Sequence, residues 1–222
     1  MTDEGRPLDR EERDAVLPTA RTVEELRTLA VGCRACELWR RATQTVFGDG
    51  PANARLLVVG EQPGNTEDLE GAPFVGSAGR LLDRAFVEAG IDRETAYVTN
   101  VVKHFKWRRA ASGKKRIHQK PDRAEVEACR PWLDAEVARI RPELIVALGA
   151  TAAQALLGRD FRVTRQHGEV LESDLGPTLA TIHPSAVLRA PDDVRDETYA
   201  GLVSDLRAAA AWLAGRVASS RP

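Results

Sequence analysis

The chain has 222 residues, 43 % of them hydrophobic and 29 % charged, enough for one compact core and short for two. This composition excludes a disordered or fibrous protein, and no apolar run reaches the about 18 residues that would span a membrane. The formal net charge of −1 hides an asymmetry: segment 103–120 carries 8 of the 32 basic residues and no acid, which leaves 24 basic against 33 acidic residues elsewhere.

Residues 1–20 lack the apolar stretch of a signal peptide and read as a flexible tail. A single domain is expected over residues 21–222. Thr22 with Glu25 forms a capping box and Gly32 a stop, so a short helix lies between them. Cys33-Arg-Ala-Cys36 follows. Arg55–Gly60 (RLLVVG) reads as a buried parallel strand, and a Gly-rich loop, GEQPGNTEDLEG, comes after it. Ser77 can cap a helix that runs to Ala89 and stops at Gly90. Ala96–Val102 is a second strand, and the basic segment 103–120 is expected to be a loop. Pro121 opens a helical stretch that Pro131 should kink and restart, ending near Arg141-Pro142. Glu143–Leu148 is a third buried strand, and the next helix stops at Gly158. Extended segments near 168–172 and 178–182 lead to His183-Pro184-Ser185, and a helix over 198–216 closes the chain. Strands alternating with helices imply an α/β domain, a mainly parallel sheet covered on both faces. Ligands bind at the carboxyl ends of such strands, here at 60–64, 100–118 and 183–185.

Three cysteines, an odd count, argue against a disulfide framework and suit a cytoplasmic protein with metal or thiol chemistry. Cys33 and Cys36 put two thiolates on one ion, Cys129 is a third, and a fourth ligand must come from His104, His118, His167 or His183. A Cys3His set suits zinc or an iron–sulfur cluster; a redox pair or three buried small residues are the plainer alternatives. The Gly60–Gly64 loop, which carries Glu61 and Gln62, is neither a Walker A loop nor a dinucleotide fingerprint. It suits close approach to a ligand or simply a tight turn. Phe74 is a stacking platform or a core aromatic. Asn100, at a strand end, can read a base edge through one donor and one acceptor, or can serve a turn. His183 is a hydrogen-bond donor near a ligand or a satisfied buried imidazole. His118 follows Lys114, Lys115 and Arg116. Cations around it disfavour its protonation, which would leave a neutral nucleophile; otherwise it is a surface histidine in a phosphate-binding loop.

Six motifs in order, Cys33-x-x-Cys36, GEQPG at 60–64, Pro73-Phe74-Val75-Gly76, Val98–Lys103, Ala128–Pro131 and His183-Pro184-Ser185, resemble the iron–sulfur uracil-DNA glycosylases over residues 25–213. The resemblance implies a three-layer α/β/α domain with a mainly parallel central sheet that acts on flipped-out deoxyuridine in DNA, as a monomer and away from membranes. It implies a [4Fe–4S] cluster on Cys33, Cys36, His104 and Cys129, with His104 where ordinary members carry cysteine. Gln62, where a small residue is common, and the insert with Lys114–His118 depart from ordinary members and resemble one subgroup, UdgX. UdgX proteins excise uracil and stay covalently attached to the abasic sugar through the loop histidine, by position His118.

On this resemblance His183 would stabilise the leaving uracil at O2, Asn100 would hold its Watson–Crick edge and Phe74 would stack on it. Glu61 would orient His118 or a water, Gln62 would join the substrate-binding set and hydrogen-bond the loop, and Lys114, Lys115 and Arg116 would neutralise DNA phosphates. The expected function is excision of uracil from DNA, single strands included, ending in a covalent adduct. The alternatives are an ordinary turnover glycosylase and a non-catalytic DNA-binding module with a structural metal.

Overall fold

A computed structural model describes residues 6–111, 113 and 115–219. Its elements begin with α1 (Arg10–Val16), α2 (Val23–Ala30), β1 (Leu56–Gly60), α3 (Asn65–Glu70), α4 (Ser77–Ala89) and β2 (Ala96–Asn100). A hairpin of β3 (Trp107–Arg109) and β4 (Arg116–His118) follows, then α5 (Arg123–Ile140), β5 (Leu144–Leu148) and α6 (Gly149–Leu157). The chain continues through β6 (Val170–Ser173), β7 (Gly176–Thr181), α7 (Pro184–Arg189) and α8 (Asp192–Ser219). Among the described residues no helix is long and apolar enough to cross a membrane.

The central sheet has the order β2-β1-β5-β7-β6, parallel except for β6. Strands β1, β2 and β5 are buried along their whole length, so alternation sends their side chains to two cores rather than to core and solvent. Leu57, Val59, Ile145 and Ala147 pack with α2, α5 and α6 on one face. Leu56, Val58, Leu144 and Val146 pack with α4, α7 and α8 on the other. The result is the expected three-layer α/β/α arrangement. Each fully buried Leu, Ile or Val contributes about 1.5–3 kcal/mol relative to exposure, so these short strands anchor the loops at their ends firmly. The chain leaves β1 through α4 on one face and β5 through α6 on the other. Their carboxyl ends therefore part in opposite directions and open a crevice.

Local chemistry sets the element ends. The capping boxes of Thr22 with Glu25 and of Asp122 with Glu125 are both formed, and Gly90 closes α4 in the left-handed conformation. The structure departs from expectation elsewhere. Residues 1–5 lie outside the described residues, but the rest of the supposed tail is folded. Asp9 and Glu12 cap α1, Leu8 bridges to Cys33, and buried Arg13 donates to the Ala128 carbonyl of α5. The basic segment forms the β3–β4 hairpin, and the Gly-rich loop contains α3. Helix α5 runs through Pro131 without a break. Proline removes one amide donor, but Ala128, Cys129, Trp132 and Leu133 are buried around it, and their packing holds the helix. The cap of α4 is Gly76, with Ser77 its first residue, and α8 begins six residues before the expected start.

Candidate active site

The carboxyl ends of β1, β2, β5 and β7 open into a cleft of about 730 Å³ whose walls include Glu61, Gln62, Phe74, Asn100, His118 and His183. Six residues singled out from sequence thus meet at one place. A second hollow of about 680 Å³ beside α2 holds none of them.

One wall is made by strand ends. Asn100 closes β2 and is 3 % exposed; among the described residues its carboxamide has no hydrogen-bond partner, which leaves donor and acceptor for a ligand. Gly60, its neighbour across the β1–β2 ladder, is required by this crowding. A Cβ there would lie 2.4 Å from Asn100 Oδ1 and 2.8 Å from Phe74 Cζ, too close for either to stay. Phe74 holds a left-handed backbone, φ 58°, a conformation that side chains other than glycine rarely adopt and that concentrates at functional sites. Gly79 fits beneath it, because a Cβ would meet the Phe74 carbonyl. Phe74 packs in the core and also lines the cleft, its ring 25° from the plane of His183.

His183 caps α7. Its Nδ1 accepts from the Ser185 amide at 3.1 Å and lies 2.8 Å from the Ser185 hydroxyl. A ring nitrogen that accepts carries no proton, so the neutral tautomer has its hydrogen on Nε2. Burial pushes the imidazole down to about 4, against the pull of Glu61 and with the help of Arg189 and His118. His183 is therefore a neutral donor at ordinary pH.

The other wall is the hairpin. His118 ends β4 and is half exposed; its Nε2 lies 3.3 Å from Glu61 Oε1. Among the described residues this imidazole thus pairs with a carboxylate, where the sequence suggested cationic neighbours. For Glu61, burial raises the pKa, but hydrogen bonds from His118 and Thr151 and the charges of His118 and His183 outweigh it and leave the carboxyl below its usual range. Gln62 is spent on the hairpin. Its oxygen accepts from the Lys106 amide at 3.0 Å, and its nitrogen donates to the carbonyls of Gln119 at 3.0 Å and Lys106 at 3.3 Å. It extends the ladder in which Gln119 N–H meets Lys106 O.

Arg116, expected on phosphate, is also turned inward. Its guanidinium pairs with buried Asp68 at 2.5 Å, reaches Asn65 and Thr43, and packs over Phe105 and Trp107. It fastens the hairpin to α3, so its donors are engaged within the protein. Lys115 is exposed, and Lys114 lies outside the described residues. Sequence reasoning missed Thr151, whose hydroxyl donates to Glu61 Oε2, and Lys120 and Arg189 on the cleft walls. Thr151 lies in the first turn of α6, and nothing local connects it to a residue 90 positions away.

Cys33, Cys36 and Cys129 are free thiols. Burial drives Cys129 up to about 12; Lys103 opposes this, and Cys33 and Cys36 add to it, which places the three sulfurs within one electrostatic neighbourhood. Among the described residues no three Cys, His, Asp or Glu side chains converge on a point where one metal ion could sit. A multi-iron cluster takes its ligands at separate corners, and three observations suit such a group. Trp132 Nε1 donates to Cys33 Sγ and the Lys103 amide to Cys129 Sγ, each at 3.2 Å, so both sulfurs already receive N–H bonds. Thr45 donates its hydroxyl to the Ala30 carbonyl, so at 3.0 Å from His104 Nε2 it must accept. His104 then keeps a bare Nδ1, as a ligating imidazole must.

An α/β/α sandwich with a polar cleft at the switch point of its sheet is the class of protein that fold and cleft define. The family model for the Uracil DNA glycosylase superfamily matches residues 47–207, and the chain belongs to that superfamily. It is 33 % identical over 181 residues to a type-4 uracil-DNA glycosylase of Sulfurisphaera tokodaii, covering 77 % of this chain and 78 % of that one. The type-4 enzyme of Thermotoga maritima is 38 % identical over 159 residues, 71 % and 78 % of the two chains. A type-5 uracil-DNA glycosylase of Pyrobaculum aerophilum is 31 % identical over 169 residues, 68 % and 70 %.

Proposed function

We propose that the protein excises uracil from DNA, single strands included, and that His118 then captures the abasic sugar. The observation that carries this reading is the His118–Glu61 pair on one wall of a cleft whose other wall presents Asn100, Phe74 and His183. Asn100 would bind the Watson–Crick edge of a flipped base and Phe74 its face. As the C1′–N1 bond breaks, its electron pair passes into uracil. The Nε2–H of His183 would donate to O2, where that charge appears. An unprotonated nitrogen of His118 then bonds to C1′, the proton on the other ring nitrogen leaves by way of Glu61 to solvent, and a neutral N-alkylated imidazole remains. Held beside C1′, the imidazole competes with water through its high effective concentration. An N-alkyl imidazole is a poor leaving group, so the adduct persists. Lys115, Lys120 and Arg189 supply positive charge to the flanking phosphates.

We also assign Cys33, Cys36, His104 and Cys129 to a [4Fe–4S] cluster. When bound it would supply a cross-link between the segment after α2, the loop after β2 and α5, and its loss would loosen that side of the molecule. Protein purified without oxygen should carry iron; stoichiometric zinc and no iron would overturn the assignment.

The central test is incubation with uracil-containing single-stranded DNA, with free uracil measured and the products run on a denaturing gel. Uracil release with a retarded band is expected. Uracil release with free abasic DNA alone would reduce the protein to a turnover glycosylase. No release would leave a DNA-binding module.

A further inference from the structure

The two oxygens of the Glu61 carboxylate have different partners. Oε1 faces His118 Nε2 at 3.3 Å, and Oε2 receives the hydroxyl of Thr151 from the first turn of α6. We propose that Thr151 is a positioning residue: it fixes the rotamer of Glu61, through it the seat of His118, and so how often excision ends in capture. This rests on the reading that His118 bonds to the sugar.

The anchor is stiff for three reasons. Thr151 is 8 % exposed, packed on a helix that follows directly from buried β5. A β-branched side chain in a helix has few χ1 choices, so its hydroxyl direction is set by the backbone. The amides of the first turn of α6 carry the positive end of the helix dipole, which favours a carboxylate there. Glu61, by contrast, reaches from the loop after β1, and an unanchored glutamate has several rotamers of similar energy. His118 is half exposed and tilted against Phe105 at 6.0 Å between ring centroids, so Glu61 Oε1 is its polar anchor.

Electrostatics point the same way. Besides Glu61 and the titratable rings of His118 and His183, the charged groups on the cleft walls are Glu67, Lys120 and Arg189. Glu67 is occupied, accepting from the Gly76 amide at 2.8 Å. Thr151 is thus the neutral donor that offsets the burial of Glu61 without competing for the proton that passes from His118.

The test compares Thr151→Val, which keeps the branched shape and removes the hydroxyl, with Thr151→Ser, which keeps the hydroxyl. In single-turnover reactions on uracil-containing single-stranded DNA, the ratio of denaturant-stable adduct to released uracil is measured. Valine should lower that ratio about tenfold, the scale of one lost hydrogen bond to a charged group, and serine should return it to within about twofold of wild type. A valine variant with the wild-type ratio overturns the proposal. A serine variant as poor as valine overturns it as well, because shape and not the hydroxyl would then matter. A second measurement needs no DNA: the titration of the Glu61 carboxyl carbon by NMR. Its midpoint should rise in Thr151→Val and recover in Thr151→Ser; an unmoved midpoint also overturns the proposal. If wild-type protein releases uracil and forms no adduct, the capture role of His118 falls on that result alone, while the titration still decides whether Thr151 sets Glu61.

Discussion

The two walls of the cleft are built in different ways. Asn100 ends β2, Phe74 sits in the turn between α3 and α4, and His183 caps α7; glycines at 60 and 79 leave room for the first two and little else. His118 stands on a three-residue strand of a hairpin outside the sheet, tied down by polar contacts: Gln62 and Glu61 at its base and Arg116 to Asp68 along its side. The wall that would read and release a base is preorganised by packing, where displacement costs core contacts. The wall that would capture the sugar is preorganised by hydrogen bonds, each worth about 0.5–3 kcal/mol. Damage to the second should therefore spare the chemistry of the first.

The sharpest way to break that comparison is His118→Ser. The denaturant-stable adduct should disappear, while uracil release continues within about tenfold of wild type, because Asn100, Phe74 and His183 do not depend on the hairpin and water can reach C1′. Peptide mapping of the wild-type adduct should place the sugar-derived mass on His118. An adduct that survives in the variant, or a mass on another residue, would falsify the assignment. Loss of uracil release together with the adduct would merge the two walls into one machine.

His183→Ala should do the reverse, slowing uracil release by on the order of 10²–10³, the usual loss for one donor aimed at transition-state charge. DNA binding should change far less. The pH dependence follows from the same ring. Its pKa lies near 4, below the ordinary histidine value, so it stays neutral as pH falls through 6. Near 4 a second proton would have to sit on Nδ1, where the Ser185 amide already points, and the ring must turn away. Uracil release should accordingly hold through the weakly acidic range and fall only toward pH 4. A loss centred near pH 6.5 would mean that His183 titrates as an exposed imidazole.

Gly60→Ala sharpens the claim that packing builds the reading wall. The new methyl would overlap Asn100 Oδ1 and Phe74 Cζ, and two groups expected on the base would shift together. Release should fall on the order of 10²-fold, as a misplacement of about 1 Å allows, and stability should drop by about 1–3 kcal/mol. Adduct formed per uracil released should stay near wild type. A fall in that ratio would show the hairpin leaning on Gly60.

The same division explains what the sequence disclosed. Asn100, His183 and Glu61 follow short apolar runs, and a residue at the end of such a run is at a ligand edge whatever its distant neighbours are. Caps and stops are local as well, hence Thr22, Glu25 and Gly90. The hairpin gave no such signal. Its strands are three residues long, too short for alternation to register, and their side chains are mostly cationic, so a solvated loop was the natural reading. The fate of Arg116 depended on Asp68, 48 residues back, and that of Gln62 on Lys106 and Gln119, 44 and 57 residues on. Helix α1 was hidden for a related reason: its buried side chain is Arg13, paired with a carbonyl 115 residues away.

Gln62 gives the smallest and most discriminating effect, because the resemblance counts it among the substrate-binding residues as well as on the loop, and the structure spends it on the hairpin. Its carboxamide uses both ends: the oxygen must face Lys106 N–H, which can only donate, and the nitrogen then reaches two carbonyls. Gln62→Leu keeps the bulk and removes all three bonds. The Lys106 carbonyl retains the Gln119 amide, so the ladder survives, and the expected cost is about 1–3 kcal/mol for the groups left without partners. The hairpin base should loosen. Amides of 106–119 should exchange faster with solvent while those of β1, β2 and β5 keep their protection. Uracil release should change little, and adduct per uracil should fall about threefold to tenfold, as His118 spends less time against the sugar. Loss of release and adduct in equal proportion, with hairpin exchange unaltered, would instead make Gln62 a contact of the base.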